Sequence, residues 1–314
     1  MSSTTVSTGG AHRFLHVNLN TPDAGRAAHL YTQVLGLMVA MQTKAEPIDG
    51  ALYGRPGLRT HSDATFLYDD RGARRVTSLE LQQWHRPKVV GEPYEDLRVW
   101  GMQALGFAVP TLDGVADAVR AAGGAVVGER RGALLRSGPR TLWVRDGDGV
   151  LLELVEERGV PAGRLHRLII SADDVDAALA FYGALGFEQV AHERIVDASD
   201  VFPTAASGDV VDAYELRLPD DHTFFLLLLV WDRPATERCA YTQPWHCGLY
   251  RFALAVDDVA TEHARLVAAG LEAVGDPVVV PMEGTPVPPL TISFFHDAGG
   301  VAVELVERPR SAFA

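Results

Sequence analysis

Short segments in which apolar and polar residues alternate recur along the chain, and four of them are followed by an Ala-rich stretch with helical spacing. Alternation places successive side chains on opposite faces of a strand, whereas helical spacing gathers apolar residues on one face of a helix. Each Ala-rich stretch starts after Asp or Pro and ends at Leu-Gly or Gly-Gly, which are ordinary helix start and stop signals. Three more strand-like segments follow each helix. The pattern therefore predicts a β-α-β-β-β module that occurs four times.

One segment shows the repetition most clearly. Residues 149–156 return nearly unchanged as residues 300–307. In each copy a glutamate, Glu153 or Glu304, stands in an otherwise apolar run that reads as a strand after an Asp/Gly turn. A buried carboxylate without a partner is costly, so both glutamates are candidates for a functional site.

The length of 314 residues is about twice that of a common domain. The Gly/Pro-rich segment 159–163 is the best boundary between two domains. We therefore expect an α+β protein with an N-terminal domain at residues 11–158 (modules one and two) and a C-terminal domain at residues 164–310 (modules three and four). Residues 1–10 read as a disordered tail. A pairing of module one with module four across the halves stays open.

Composition narrows the range of partners. A net charge of −13 argues against nucleic acid, because basic patches drive that binding. No apolar run approaches the roughly 18 residues of a membrane span. Two cysteines, Cys239 and Cys247, are too few for a disulfide framework and read as ordinary thiols. We expect a cytoplasmic protein, monomeric or homodimeric, with a small-molecule substrate.

Several segments together resemble the vicinal oxygen chelate superfamily, which includes glyoxalase I, extradiol dioxygenases, and fosfomycin and bleomycin resistance proteins. The resemblance rests on His16-Val17-Asn18-Leu19 before Asp23, on Val34-Leu35-Gly36-Leu37, on Ala180-Phe181-Tyr182 before Leu185-Gly186-Phe187, and on the Asp/Gly turn before Glu-Leu-Val-Glu. It covers the chain after the tail. It implies that modules pair into curved mixed sheets that enclose clefts, and that the first and last strands of each module supply ligands to a divalent metal.

Alternation indicates which residues of these strands face the cleft. His16 stands at the first ligand position that the resemblance implies, Glu80 at the second and Glu153 at a third. Asn18 and Trp84 face the same cleft and are candidates for substrate contact. Imidazole with oxygen ligands suits Fe, Mn, Ni, Zn, Co or Mg without selecting one. We expect such a metal on His16, Glu80 and Glu153.

The remaining ligand positions depart from the family pattern. Register places Ala104 at the fourth position, and Gln103 would reach the cleft only if its strand were bulged. In the C-terminal half, Arg167 and Arg251 stand where ligands are implied. Arginine offers no lone pair, so Arg251 with Glu304 is interpreted as an ion pair. The alternative is that both arginines hold an anionic ligand. Small residues on the Ala104 strand leave room for a bulky substrate.

Two classes of function follow. The first is a metal-dependent enzyme of isomerase or lyase type, in which the metal acts as a Lewis acid and Glu80 or Glu153 moves a proton. A ring-cleaving dioxygenase is a variant of this class. The second is a metal-free protein that binds or sequesters a small molecule, as drug-resistance proteins do. Metal content separates the two.

Overall fold

The structure is a computed structural model that describes residues 10–44, 46–133, 136–234, 243–282, 285 and 287–313. Residues 1–9 of the expected tail, and Cys239, lie outside the described residues. Module one comprises β1 (Arg13–Thr21), α1 (Ala24–His29), β2 (Met38–Lys44), β3 (Ile48–Gly50), β4 (Arg55–Tyr68) and β5 (Ser78–Arg86). Module two comprises β6 (Gly101–Val109), α2 (Val115–Ala121), β7 (Ala125–Ala133), β8 (Arg136–Arg145) and β9 (Leu151–Glu156).

The second half repeats this order of elements. Module three comprises β10 (Arg164–Ala172), α3 (Val175–Ala184), β11 (Glu188–Ile195), β12 (Val211–Arg217) and β13 (Phe225–Trp231). Module four comprises β14 (Gly248–Val256), α4 (Val259–Ala268), β15 (Val278–Val280), β16 (Leu290–His296) and β17 (Ala302–Glu307). The predicted α+β architecture of four modules is confirmed.

Three of the helices begin where the sequence predicts. The side chains of Asp23, Asp174 and Asp258 each accept a hydrogen bond from a backbone N–H in the first turn of α1, α3 and α4. Such a cap stabilises a helix by about 1 kcal/mol. Gly36 and Gly186 follow the first and third helices with φ of 75° and 103°, a left-handed conformation that glycine adopts without strain. Helix α1 continues into a π-helical turn at Leu30–Val34.

The modules pair across the two halves of the chain. In the first sheet the strand order is β15-β16-β17-β14-β1-β5-β4-β2, with β3 on β4, so modules one and four share one sheet. The second sheet has the order β11-β12-β13-β10-β6-β9-β8-β7 and joins modules two and three. The antiparallel pairs β1/β14 and β6/β10 make the two joints. The expected pairing of modules one and two in residues 11–158, and of three and four in residues 164–310, is therefore wrong for the sheets.

Consecutive modules pack back to back, which explains this pairing. The Tyr31 hydroxyl donates to Asp146 Oδ2 at 2.7 Å, and the Tyr182 hydroxyl donates to Asp297 Oδ2 at 2.8 Å. These buried bonds join the helix of one module to the Asp/Gly turn of the next. Because the helix-covered faces of successive modules meet in one core, their first strands stay free to pair with another module. Tyr31, Tyr182 and Phe252 are fully buried in that core.

The described residues contain no helix that is long and apolar enough to cross a membrane.

Candidate functional site

The first sheet encloses a cavity of about 620 Å³ between modules one and four. Its wall is mainly apolar, with Met41, Leu52, Phe66, Ile292 and Phe294 among the lining residues. Pro281, Met282, Val287 and Pro288, which lie between β15 and β16, also line it. The size is within the ordinary range of small-molecule pockets.

Polar side chains converge at the floor of this cavity. Strands β17, β14, β1 and β5 are neighbours in the sheet, and each contributes one residue at a ligand position that the resemblance implies. These residues are His16 on β1, Glu80 on β5, Arg251 on β14 and Glu304 on β17. All four line the cavity. A register shift between Phe14 and His16 marks a bulge in β1, and both Leu15 and His16 line the cavity beside it.

The guanidinium of Arg251 lies between the two carboxylates. Arg251 Nε donates to Glu304 Oε2 at 2.8 Å, and Nη2 donates to Glu80 Oε2 at 2.9 Å. Nη1 donates to Gln82 Oε1 at 2.8 Å. His16 Nε2 lies 3.3 Å from Oε2 of both glutamates. The ion pair predicted between Arg251 and Glu304 is thus confirmed, and Glu80 joins it.

Buried amides complete the network. Asn18 Nδ2 donates to Glu80 Oε2 at 3.1 Å and to Gln82 Oε1 at 3.0 Å. Gln82 in turn donates to Ser62 Oγ at 2.8 Å. Asn18 is fully buried and lies behind the cavity wall, so the predicted contact of Asn18 with substrate is replaced by a contact with Glu80. Its Oδ1 has no hydrogen-bond partner within the described part of the chain.

The opposite charges in this network each stabilise the ionised form of their partner. Burial alone would raise the pKa of Glu304, but the charge of Arg251 and the hydrogen bonds from His16 and Arg251 outweigh it and lower that pKa to about 2. Burial opposes the charged form of Arg251 too, yet Glu80 and Glu304 together raise its pKa. Burial raises the pKa of Tyr53, which lines the same cavity. Glu304 and Arg251 therefore stay charged over the physiological pH range.

This donor set does not suit a divalent metal as it stands. His16, Glu80 and Glu304 are ligand types, but both carboxylates already bind a guanidinium that carries a fixed positive charge and no lone pair. A second cation placed among them would be repelled by Arg251 and would have to break two short charged hydrogen bonds. Arg251 takes the place that a ligand and its metal would need.

Glu153 lies in the other sheet, so it does not converge with His16 and Glu80 as predicted. It is fully buried and accepts a hydrogen bond from Arg167 Nε at 2.6 Å. Arg167 lies across Gly106, where a Cβ would be 2.4 Å from Arg167 Cγ. The small residues of β6 therefore make room for Arg167 and not for a substrate.

The corresponding face of the second sheet is filled. Trp143, Phe202 and Leu227 are each 0% exposed there and pack with Ile169 and Ala104 in one apolar cluster. Ala104 accordingly contacts no cavity of this face, and Arg167 is only 2% exposed. Among the described residues, the first sheet thus encloses an open cleft, and the corresponding face of the second sheet is a packed core.

Two further predicted residues lie away from the cavity. Gln103 donates its side-chain amide to the carbonyl of Val99 and does not approach Glu153 as a ligand. Trp84 is 1% exposed, donates Nε1 to Asn20 Oδ1 at 2.8 Å and packs against Tyr53. It contacts the cavity wall through Tyr53.

One end of the cavity is basic, a feature that sequence reasoning missed. Arg13, Arg74 and Arg308 line it, and Asp221 is a carboxylate whose charge acts on Arg13. The guanidinium carbons of Arg13 and Arg308 stand 4.7 and 5.7 Å from the ring centroid of Phe313. The buried Nε of Arg308 has no partner within the described ranges. The bulge in β1 lies beside Arg13, and Phe313 stacks on Arg13 and Arg308; neither feature has a clear pattern in the sequence.

A second group of potential metal ligands lies outside the cavity. His61, Asp63 and His85 bring one ligand atom each within 4.8 Å of one another and could hold a metal ion. His61 and Asp63 lie on β4, and His85 lies on β5. The sequence signal was a His-x-Asp pair on one strand with a histidine on the next.

Comparisons with known proteins agree with this fold. A family model described as the Glyoxalase/Bleomycin resistance protein/Dioxygenase superfamily matches residues 13–154 and again residues 164–305. Glyoxalase I from Zea mays has a TM-score of 0.69 at 17% identity, with 94% of this chain and 92% of that chain covered. A Bacillus subtilis protein provisionally described as a dioxygenase has a TM-score of 0.60 at 16% identity, with 98% and 88% covered. Curated protein sequences give no match. At these identities the two structures show a shared fold and nothing more.

Proposed function

Because the chain belongs to the Glyoxalase/Bleomycin resistance protein/Dioxygenase superfamily, we propose that it binds a small molecule in the cavity between modules one and four, and does so without a metal on the cavity floor. The observation that carries the proposal is the guanidinium of Arg251 between Glu80 and Glu304 beneath an open, mostly apolar cavity. The guanidinium supplies the positive charge that a metal would otherwise supply at these positions.

The lining indicates the class of ligand. An apolar body would remove water from Met41, Phe66 and Phe294, which favours binding in proportion to the apolar area covered. Arg74 and Arg308 at the basic end favour an anionic group such as a carboxylate, sulfonate or phosphate. The ligand is therefore an amphiphilic small anion with one or more oxygens that can reach His16.

A fluorescent probe of this chemistry tests the proposal. Anilinonaphthalene sulfonate combines an aromatic body with a sulfonate and brightens in apolar surroundings. We expect one bound probe per chain, because the second face is packed. Ala64→Trp, which fills the cavity, should abolish that binding. Arg308→Met should weaken it about tenfold, the effect of losing one charged hydrogen bond.

The exposed Arg120 on α2 provides the control, since Arg120→Met removes an equal charge far from the cavity lining. Fluorescence titration measures the affinity of the probe for the wild-type chain and for the three variants. Equal affinity for the Ala64→Trp variant, or two strong sites per chain, would contradict binding in this cavity.

Lewis-acid-assisted proton transfer of isomerase or lyase type is the second candidate. It is favoured by His16, which lines the cavity while lying 3.3 Å from both carboxylates. In that reading Glu80 would be the base, and Glu153 takes no part because it lies in the other sheet. A metal-dependent isomerase or lyase, and equally a ring-cleaving dioxygenase, would need a metal at the position that Arg251 occupies. Thermal unfolding with added Zn²⁺ or Ni²⁺, with Arg251 present and with Arg251→His, separates them from the metal-free proposal.

A further inference from the structure

The cluster of His61, Asp63 and His85 lies on the face of the first sheet that is turned away from the cavity. Ser62 and Ala64, which alternate with Asp63 along β4, line the cavity. Gln83, the partner of Asp63 across β4 and β5, accepts a hydrogen bond from the backbone N–H of Ala24 at the start of α1. The cluster is therefore on the helix-covered side, separate from the network around Arg251.

A bulge brings the three side chains together. Ser62 pairs with Trp84, and His61 pairs with Arg86, so His85 is the additional residue on β5. Bulges of this kind redirect a side chain and are frequent next to functional sites. His85 Nε2 lies 2.9 Å from Asp63 Oδ2, and the rings of His61 and His85 are 4.7 Å apart.

The donor types are those of a transition-metal site. Two imidazoles with one carboxylate suit Zn²⁺, Co²⁺ or Fe²⁺ and leave further coordination positions for water. The side chains of His85 and Asp63 are 31% and 35% exposed, so an ion can enter from solvent. Within the part of the chain that the structure describes, this is the one group of three such residues with ligand atoms this close together.

The surrounding charges are mixed. Lys44 stands opposite Asp63 on β2, and Arg86 stands opposite His61. Both are cationic and would weaken the binding of a cation through space, though solvent screens exposed charges. The geometry thus predicts a site of moderate affinity, which removal of Lys44 should strengthen.

We propose that His61, Asp63 and His85 form a binding site for a divalent transition metal of the zinc type, outside the cleft that the family uses. The bound ion links β4 to β5 behind Ser62, whose hydroxyl accepts from Gln82 on the cavity side. Binding at this site does not depend on the ligand proposed for the cavity.

Cobalt chloride titrated into the untagged full chain tests the site, because Co²⁺ bound to imidazole and carboxylate absorbs visible light. We expect one Co²⁺ per chain, displaced by Zn²⁺. His61→Ala and His85→Ala should each weaken binding by about 100-fold or more, beyond the ~10–100-fold effect of losing an outer-sphere partner. Lys44→Gln should tighten it several-fold.

His192→Ala is the matched control. His192 also lies on a strand and bonds an aspartate, Asp212, at 2.8 Å, but it belongs to no group of three ligands among the described residues. Cobalt affinity should be unchanged in this variant, and circular dichroism confirms that each variant is folded.

Three outcomes would overturn the site: no cobalt bound by the wild-type chain, equal affinity in His85→Ala, or loss of cobalt binding in Glu80→Gln. The last outcome would place the ion in the cleft and would also contradict the metal-free proposal. The first two leave that proposal intact.

Discussion

Arg251 is positively charged at any ordinary pH, and its planar guanidinium can donate hydrogen bonds to two carboxylates at once. Glu80 and Glu304 accept its hydrogen bonds at 2.9 and 2.8 Å, and all three side chains are buried. Alternation placed His16 and Glu80 on a cleft face, and the family resemblance placed Arg251 and Glu304 at the corresponding ligand positions of module four. It could not identify the partner of Glu153, because that partner depends on which modules share a sheet.

Arg251→Leu tests how much this charged cluster contributes to the free energy of unfolding. Removing one member of a buried charged network leaves the others uncompensated and costs about 3–5 kcal/mol. We expect that loss in the free energy of unfolding measured by urea denaturation at neutral pH. The control Arg164→Leu breaks the partly exposed pair with Asp70 and should cost less than about 1 kcal/mol. Equal losses in the two variants would mean that the cluster contributes nothing beyond a surface pair.

The helices and strands could be predicted from local sequence signals, but the contacts between modules could not. Asp caps and terminal glycines place the helices where the sequence predicts them. The bulges at Leu15 and His85 depend on the neighbouring strands, so no local sequence pattern predicts them. The bonds of Tyr31 to Asp146 and of Tyr182 to Asp297 repeat at the same separation of 115 residues. They join successive modules through their helices, a contact that the repeat alone could not reveal.

Asp146 makes one of these joints sensitive to pH. Burial raises its pKa to about 6, despite the hydrogen bonds from Tyr31 and from the Val150 and Asp148 backbone. The folded chain therefore holds this proton more tightly than the unfolded chain, whose aspartates titrate near pH 4 (about 3.9). The free energy of unfolding should fall as pH rises from about 4 to about 6, by roughly 3 kcal/mol from this group.

Asp146→Asn should remove the share of that slope that comes from Asp146, since asparagine does not ionise and can still accept from Tyr31, while Asp297, whose pKa is also raised by burial, keeps its own share. Urea denaturation at several pH values in this range measures the change. Asp117→Asn on the exposed surface of α2 should leave the slope as it is in the wild-type chain. A wild-type slope that persists in Asp146→Asn would assign the pH dependence to other groups.

At the scale of the whole molecule, the described parts of four similar modules form one open cleft and one packed face. The sequence motifs predicted the family, and the repeated pattern predicted four modules. The family model matches both halves of the chain, which confirms the family. The pairing of modules could not be predicted, because every module offers the same kind of first strand for pairing. The single cleft follows from that pairing, since Phe202 and Trp143 fill the second face while Pro281 and Pro288 border a cavity over the first.

The central claim is that Arg251 stands in place of a metal in the cleft, and a metal titration tests it most directly. The chain should carry His61→Ala and His85→Ala, so that the outer cluster binds no ion. Thermal unfolding is then followed with Zn²⁺ or Ni²⁺ added, once with Arg251 present and once with Arg251→His. The second protein has two imidazoles and two carboxylates at the four family positions, a complete set of ligands.

We predict that added metal leaves the melting temperature of the Arg251 protein unchanged and raises that of the Arg251→His variant by several degrees, because an ion that binds only the folded chain stabilises it. A metal-dependent rise with Arg251 in place, lost on further substitution of Glu80→Gln, would show that the cleft binds a metal beside the guanidinium and would contradict the account.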